Sequence, residues 1–205
     1  MLVSEKTSVM TKEDNGQTQG NTAENTQQQW QVSVHKHLSP EQISEIITFF
    51  TSQVDTEERY LRFRGTFSEE ILSPILERRL PQAKLIALAR GDDGKIAGVG
   101  EMYETEVLYK DPATQGRKRT NAYKLSVTTD SSLYRKGVGK HLSTSLIDQS
   151  LSDGVNTFLL ATDRSDPASK GLANYILSTV TTERVISIVP DPDTIQYLVT
   201  LPLKP

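Results

Sequence analysis

The chain has 205 residues, a formal net charge of −3, three histidines and no cysteine. The lack of cysteine excludes disulfides, thiolate metal sites and a cysteine nucleophile. The small negative charge gives no electrostatic case for nucleic acid, and the three histidines find no further ligands at metal-binding spacing. No apolar run is long enough to span a membrane, and the first residues lack an apolar signal region. We therefore expect a cytoplasmic protein with no metal, nucleic-acid or membrane partner.

Residues 1–29 are polar, rich in Thr, Gln and Asn, and show no apolar period. A segment of this composition cannot bury enough apolar surface to offset the entropy of ordering it. The sequence therefore predicts a flexible tail over 1–29 and a single folded domain over 30–205.

The first predicted elements are a strand and two helices. Alternating polarity from Gln31 to His37 predicts the strand. The run Ser39-Pro40-Glu41-Gln42 combines an N-cap serine, a proline at the first helical position and a capping-box glutamine, which together predict a helix start. After a charged and aromatic segment at 55–65, a second helix is predicted from Ser68 to Leu80.

Three further strands are predicted in the middle of the chain. Lys84 to Arg90 and Lys95 to Glu104 read as a hairpin around a glycine-rich turn. Tyr109 to Thr120 is rich in turn formers and contains the basic run Arg117–Arg119, and it is predicted to be a loop. Tyr123 to Thr129 is β-rich and ends in turn residues, so it is predicted to be the fourth strand.

A compact basic loop, YRKGVGK, joins the fourth strand to a helix. Gly137 and Gly139 carry no Cβ, so a ligand could approach the backbone there. The first helical amides have no intrahelical partner, and the helix dipole favours an anion beside them. The pattern predicts either a phosphate site or a sharp strand-to-helix turn with a solvated basic rim. It is neither a P-loop nor a dinucleotide fingerprint, because the glycine spacing differs from both.

The last part of the chain predicts a strand, a helix and two strands, over residues 156–161, 166–177, 184–189 and 194–201. The complete order is β-α-α-β-β-β-α-β-α-β-β, which mixes hairpins with strand–helix–strand crossings. This order predicts an α+β or mixed α/β domain with a partly antiparallel central sheet.

The order, with a glycine-loop helix directly after the fourth strand, resembles the GNAT superfamily of N-acetyltransferases from about Trp30 to Pro205. The loop YRKGVGK is similar to the acyl-CoA pyrophosphate loop of that family, Q/R-x-x-G-x-G/A, and the opening strand with LSPEQISEIITFF is a second match. The segment EERYLRFRG is similar to the branch that includes bacterial Pat-type protein lysine acetyltransferases. The resemblance implies a twisted sheet of about seven strands flanked by about four helices.

The resemblance also implies an enzyme that binds acetyl-CoA (coenzyme A). Such an enzyme would transfer the acetyl group to an amine acceptor, a protein lysine or a small molecule, by direct attack of the amine on the thioester. A monomer or homodimer is expected. A backbone amide near Val127 or Thr128 would polarise the thioester carbonyl. The cofactor-binding positions that the resemblance implies are Val127, Thr128, Thr129, Tyr134, Arg135, Lys136, Gly137, Val138, Gly139 and Lys140.

The sequence departs from the family pattern at three places. Tyr134 stands where the loop motif has Gln or Arg, and Arg135 follows it. The window Asn121–Lys124 contains no acid where many members place a glutamate base. The window Asp163–Asp166 contains no asparagine where many members have one. Cofactor binding therefore matches the family pattern more fully than catalysis does.

Three residues are candidates for proton transfer. Glu101 and Glu104 lie three apart on the strand beside the fourth, so they point to opposite faces and at most one faces the cleft. Glu101 is the preferred general base, with a solvated strand carboxylate as the alternative. Tyr175 is the tyrosine of the helix after the fifth strand, and it either protonates the leaving thiolate or packs on the sheet. A second function stays open, namely an acyl-CoA-binding sensing or interaction module with weak catalysis.

The basic run Arg117–Arg119 has no assigned role in the sequence. It could contact an acidic acceptor or the cofactor's 3′-phosphate. The alternative is a solvated hairpin loop, which is the ordinary place for such a run.

Overall fold

The computed structural model describes residues 30–54, 68–163, 167–179, 184–188 and 194–203. The predicted tail and the segment at 55–65 lie outside these ranges, so the predictions made for them stay predictions. The described helices are α1 (Pro40–Ser52), α2 (Glu69–Arg79), α3 (Val138–Ser152) and α4 (Pro167–Thr179). The described strands are β1 (Gln31–His35), β2 (Leu85–Arg90), β3 (Ile96–Lys110), β4 (Arg117–Thr129), β5 (Thr157–Asp163), β6 (Arg184–Ile188) and β7 (Thr194–Thr200).

The described strands form one seven-stranded sheet in the order β1-β2-β3-β4-β5-β7-β6. Every neighbouring pair is antiparallel except β4 and β5, which are parallel. A parallel pair needs a crossover, and α3 supplies it between these two strands. The predicted mixed α/β class with a partly antiparallel sheet is confirmed. None of the described helices is both long and apolar enough to cross a membrane.

The start of α1 forms as its sequence predicts. The Ser39 hydroxyl accepts a hydrogen bond from the Gln42 amide, and the Gln42 side chain accepts one from the Ser39 amide at 2.9 Å. These two bonds satisfy donors that the helix itself leaves unpaired. The apolar stripe of α1 then packs with α2 on one face of β2 and β3, in a cluster that includes Phe50, Leu76 and Val99.

The predicted loop over Tyr109–Thr120 is wrong. β3 continues to Lys110 and β4 begins at Arg117, and the two strands pair without interruption from Lys110 opposite Arg117 to Gly98 opposite Thr129. The turn that connects them is short because Asp111 accepts hydrogen bonds from the Ala113 amide and the Thr114 hydroxyl. Strand pairing therefore overrides a local composition that favours turns.

The opposite face of the sheet carries α3, and two glycines of β3 fix how closely it packs. A Cβ at Gly98 would lie 2.9 Å from Leu142 Cδ1, and a Cβ at Gly100 would lie 2.7 Å from Leu146 Cδ1. Real Cβ atoms do not approach that closely, so side chains at these two positions would displace the helix. The glycines thus let α3 lie directly on β3, with its first turn beside the end of β4.

Candidate functional site

Strands β4 and β5 separate partway along their length. Their parallel pairing covers Tyr123–Leu125 and Phe158–Leu160, yet β4 continues to Thr129 and β5 to Asp163. Beyond Leu125 the edge of β4 that faces β5 makes no ladder with it. We call the resulting gap, between Ser126–Thr129 of β4 and Ala161–Asp163 of β5, the opening.

The hydrogen-bond alternation of β4 decides which of its amides face the opening. The Asp130 amide donates to the Ala97 carbonyl at 2.9 Å, so Asp130 turns its backbone toward β3. Backbone direction alternates along a strand, so Thr128 also turns toward β3, whereas Val127 and Thr129 turn toward the opening. Of the two amides considered for polarising a carbonyl, that of Val127 is therefore the one directed into the opening.

The predicted glycine loop lies at the same end of β4. Gly137 has φ 88° and serves as the N-cap of α3, which begins at Val138. No side chain caps this helix. Within the described part of the chain, the amides of Val138, Gly139 and Lys140 have no hydrogen-bond acceptor. An uncapped helix start of this kind is suited to binding an anion.

Gly139 faces the opening itself. A Cβ on this residue would lie 3.6 Å from Val127 Cγ1, 3.8 Å from Thr129 Cγ2 and 3.9 Å from Leu172 Cδ2 of α4. These are ordinary van der Waals distances, so a methyl group would fit but would occupy the space between β4, α3 and α4. The absence of a side chain at Gly139 keeps that space available to a ligand.

The rest of the loop is held in place by its neighbours. The Lys136 amide donates to the Leu133 carbonyl at 3.1 Å, and the Trp30 indole donates to the Lys136 carbonyl at 3.2 Å. The Lys136 amide is therefore already used, unlike the first amides of α3. Arg135 has φ 65°, a left-handed conformation that is uncommon for a residue with a side chain.

The predicted cofactor-binding side chains of the loop lie around the start of α3. All four of them are exposed, namely Tyr134, Arg135, Lys136 and Lys140. The Lys140 ammonium lies over the ring of Tyr175 in α4, 4.3 Å from the ring centroid. This contact places Tyr175 beside the first turn of α3. The predicted acid candidate thus lies close to the predicted cofactor residues.

The basic run Arg117–Arg119 lies at the other end of β4. Arg117 and Thr129 are the two ends of that strand, and at about 3.4 Å per residue the strand separates them by about 40 Å. Lys118 pairs with Asp111, and Arg119 pairs with Glu106 at 3.1 Å. The run is therefore too far from the glycine loop to contact a phosphate bound there.

Glu101 and Glu104 occupy opposite faces of β3, as their spacing predicts. Glu104 is exposed and pairs with Lys84 at 3.1 Å. Glu101 is 0% exposed and lies on the face covered by α1 and α2. The two carboxylates therefore meet very different surroundings.

The buried Glu101 carboxylate is part of a hydrogen-bonded network. The Arg79 guanidinium at the end of α2 lies 3.0 Å from Oε2, and the Tyr103 hydroxyl donates to the same oxygen at 2.9 Å. Arg79 also donates to the Tyr103 oxygen at 3.1 Å. Burial of the phenol, together with the negative charge of Glu101, raises the pKa of Tyr103 well above its ordinary value. Tyr103 consequently stays protonated and acts as a donor.

Arg79 and Tyr103 are the residues of this network that the sequence analysis missed. Tyr103 could have been found, because residues two apart on a strand share a face. Arg79 could not, because its contact depends on how α2 packs on the sheet. Thr128 also lies on this face, opposite Val99. It is 1% exposed, and its hydroxyl has no hydrogen-bond partner among the residues that the structure describes.

No protein-family model matches the sequence, and no curated protein matches it significantly. Solved structures do match. The GNAT domain of S. lividans PAT superposes with a TM-score of 0.57 at 12% identity, covering 84% of this chain and 90% of that one. An N-acetyltransferase from Staphylococcus aureus Mu50 superposes with a TM-score of 0.54 at 16% sequence identity, covering 85% of this chain and 99% of that one. A GNAT-family acetyltransferase from the same organism superposes with a TM-score of 0.51 at 16% sequence identity, covering 84% of this chain and 100% of that one. The chain therefore has the fold of the GNAT acetyltransferases, which its loop motif and element order predicted.

Proposed function

We propose that this chain is an acetyl-CoA-dependent N-acetyltransferase that acts on an amine acceptor, through one acyltransferase domain over residues 30–205. The observation that carries the proposal is the uncapped start of α3 beside the opening between β4 and β5. Its first amides lack acceptors in the described part of the chain, and Gly139 leaves the adjacent space unfilled. This arrangement is chemically suited to a pyrophosphate that continues into an extended chain along β4.

Acetyl-CoA, when bound, would supply an acetyl group activated as a thioester. The amides of Val138, Gly139 and Lys140 would hold its phosphates, and Arg135 would add a charge contact. The Val127 amide, directed into the opening, would donate to the carbonyl oxygen as negative charge develops on it. A preorganised donor of this kind is worth about 3 kcal/mol in the transition state.

The acceptor amine would approach from the face covered by α1 and α2, because α3 occupies the other face at this end of β4. Glu101 lies on the approach face, 3.0 Å from the Arg79 guanidinium. We propose that it accepts the ammonium proton through water, since the carboxylate itself is fully covered. Tyr175, beside Lys140, is the proposed donor to the leaving thiolate.

A second candidate function is an acyl-CoA-binding module with little or no turnover. One specific observation favours it: the Glu101 oxygen nearest Arg79 already accepts from both Arg79 and Tyr103. A carboxylate held in this way is a weaker base than one that is solvated or unpaired. The window Asn121–Lys124 also supplies no replacement acid.

Two measurements on the full chain separate these functions. Titration calorimetry with acetyl-CoA measures binding, and a thiol assay measures free CoA released in the presence of a panel of primary amines. Binding together with amine-dependent release supports the enzyme. Tight binding without release supports the module, and the absence of binding would overturn both.

A further inference from the structure

We infer that Trp30 is a positioning residue for the phosphate site, because its indole N–H holds the Lys136 carbonyl and thereby directs the Gly137 amide toward a bound phosphate. The inference rests on the proposed function, since it takes the start of α3 as the phosphate site. It assigns a role to a residue that lies outside the loop motif, just before β1. It also adds the amide of Gly137 to the three amides at the start of α3.

The contact joins two parts of the chain that are far apart in sequence. The indole nitrogen of Trp30 donates to the Lys136 carbonyl at 3.2 Å, across 106 positions. Trp30 is 8% exposed and belongs to the apolar cluster that also contains Val138. Its backbone leads directly into β1, where Gln31 pairs with Arg90 of β2. The core and the sheet therefore hold the indole in place, so the indole can fix the orientation of the loop.

One planar peptide unit links the Lys136 carbonyl to the Gly137 amide. The C=O and the N–H of a trans peptide point in opposite directions. Because Trp30 binds the carbonyl, the Gly137 N–H points away from the indole. This amide has no hydrogen-bond acceptor among the residues that the structure describes. It is therefore available to a ligand, as the first amides of α3 are.

The backbone conformation of Gly137 brings its amide beside the next one. Gly137 has φ 88° and ψ −1°, and a ψ near zero places the nitrogen atoms of Gly137 and Val138 on the same side of the bond between them. A left-handed residue followed by a helical one forms a concave group of successive amides, which binds anions. The Gly137 N–H therefore extends the anion site that begins at Val138.

The bond from Trp30 selects between two orientations of the Lys136–Gly137 peptide. A half-turn of this peptide changes φ at Gly137 from positive to negative, which glycine adopts about as readily. In the turned state the Lys136 carbonyl oxygen would face a bound phosphate and repel it. The following peptide lacks this freedom, because the Gly137 carbonyl accepts a hydrogen bond from the His141 amide at 3.1 Å. Loss of the indole N–H should therefore disable the Gly137 amide and spare the amides of α3.

The test removes the indole N–H and keeps the shape of the ring. The chain contains one tryptophan, so replacing tryptophan with 3-benzothienylalanine during expression changes this position alone. The benzothiophene ring matches indole in shape but has no N–H. We expect this protein to bind acetyl-CoA about tenfold more weakly in a calorimetric titration, as for the loss of one hydrogen bond to a charged group. Trp30→Phe should weaken binding at least as much and should also lower the melting temperature, because its smaller ring leaves a cavity.

Amide NMR spectra separate positioning of the loop from general stability. In the wild-type protein, acetyl-CoA and inorganic pyrophosphate should each move the Gly137 amide proton downfield, because its N–H then donates to a phosphate. The benzothienylalanine protein should lose this shift and keep that of Val138. The matched control is Asn156→Ala, which removes another side-chain bond to a carbonyl, from Asn156 to Leu201 at 2.9 Å, just before β5. It should lower the melting temperature but leave the acetyl-CoA affinity and the Gly137 shift unchanged.

The outcomes for the inference and for the proposed function are distinguishable. Equal acetyl-CoA affinity in the wild-type and benzothienylalanine proteins would overturn the inference and leave the proposed function standing. A Gly137 resonance that neither probe moves in the wild-type protein would also overturn the inference. Pyrophosphate binding that depends on the indole N–H, without any binding of acetyl-CoA, would support the inference and count against the proposed function.

Discussion

The Glu101 carboxylate on β3 and the Arg79 guanidinium at the end of α2 form an ion pair on the face of the sheet that α1 and α2 cover, with 3.0 Å between Glu101 Oε2 and the nearest guanidinium nitrogen. Glu101 is completely covered, whereas the Arg79 side chain is 30% exposed. A buried charge that loses its partner is strongly destabilising, so this pair ties α2 to the sheet. The same carboxylate is the base in the proposed mechanism, so its contribution to stability and its proposed role in catalysis must be separated by experiment.

Glu101→Gln should lower kcat by roughly 10²–10⁴-fold with acetyl-CoA affinity unchanged, because the amide cannot accept the ammonium proton. Glutamine retains an acceptor for Arg79 and Tyr103, so the protein should still fold. The matched control is Glu104→Gln on the exposed face, which should change kcat much less. Steady-state kinetics and thermal unfolding of both variants are the measurements, and equal small effects on kcat would remove Glu101 as the base.

Gly139→Val should abolish acetyl-CoA binding and leave the fold intact, because the new side chain fills the space bounded by Val127, Thr129 and Leu172 without a severe clash. Gly137→Val should also abolish binding, but with a loss of stability of about 1–3 kcal/mol, because φ is 88° at that position. Calorimetric titration and denaturant unfolding separate the two effects. The control is Gly171→Val in α4, where a Cβ meets nothing within 4 Å. Wild-type affinity in folded Gly139→Val would remove the main support for an acyl-CoA site.

Arg135 combines an exposed charge with a left-handed backbone at φ 65°. Arg135→Gly removes the charge and relieves the conformation, so we expect weaker acetyl-CoA binding without a lower melting temperature. The loss of affinity should be about 1–3 kcal/mol, as for a hydrogen bond to a charged group. It should shrink at high salt, since exposed contacts are screened. Arg135→Ala loses the same contact but keeps the unfavourable φ, so a melting temperature equal to that of Arg135→Gly would count against the backbone argument.

Tyr175→Phe keeps the ring under Lys140 and removes the hydroxyl. If Tyr175 protonates the leaving thiolate, kcat should fall by roughly 10²-fold or more at neutral pH. Acetyl-CoA affinity should stay unchanged because the contact with Lys140 survives. Single-turnover kinetics of the variant are the measurement, and an unchanged rate would leave Tyr175 with a packing role alone.

The lowered pKa of Asp111, at the β3–β4 turn, should make the stability of the folded protein depend on pH in the acid range. Hydrogen bonds from Lys118, from the Ala113 amide and from Thr114 lower the pKa of Asp111 from 3.8 to about 2. Because the folded pKa is lowered, the stabilisation is present above pH 3.8 and is lost as pH falls toward 2. The difference in melting temperature between wild type and Asp111→Asn should therefore narrow over this interval. A difference that stays constant from pH 5 to pH 2 would contradict the assignment.

Local chemistry explains what could be predicted from the sequence. The start of α1 was predictable because its capping box lies within four consecutive residues, Ser39 to Gln42. The start of α3 was predictable because glycines mark a sharp turn and apolar residues recur at helical spacing after it. The order of strands and helices follows from similar short-range patterns, and with it the fold class. The cofactor role of the loop stays a prediction, supported by the uncapped helix that the structure places there.

Tertiary structure decided the features that join distant parts of the chain. The extension of β3 and β4 into Tyr109–Thr120 was missed because cross-strand pairing outweighed turn-forming composition. The opening depends on where β4 and β5 cease to pair, which no single segment encodes. The pairing of Arg79 with Glu101 required α2 to be packed on the sheet. In each case the deciding free energy comes from contacts between separated segments, and local propensity does not contain it.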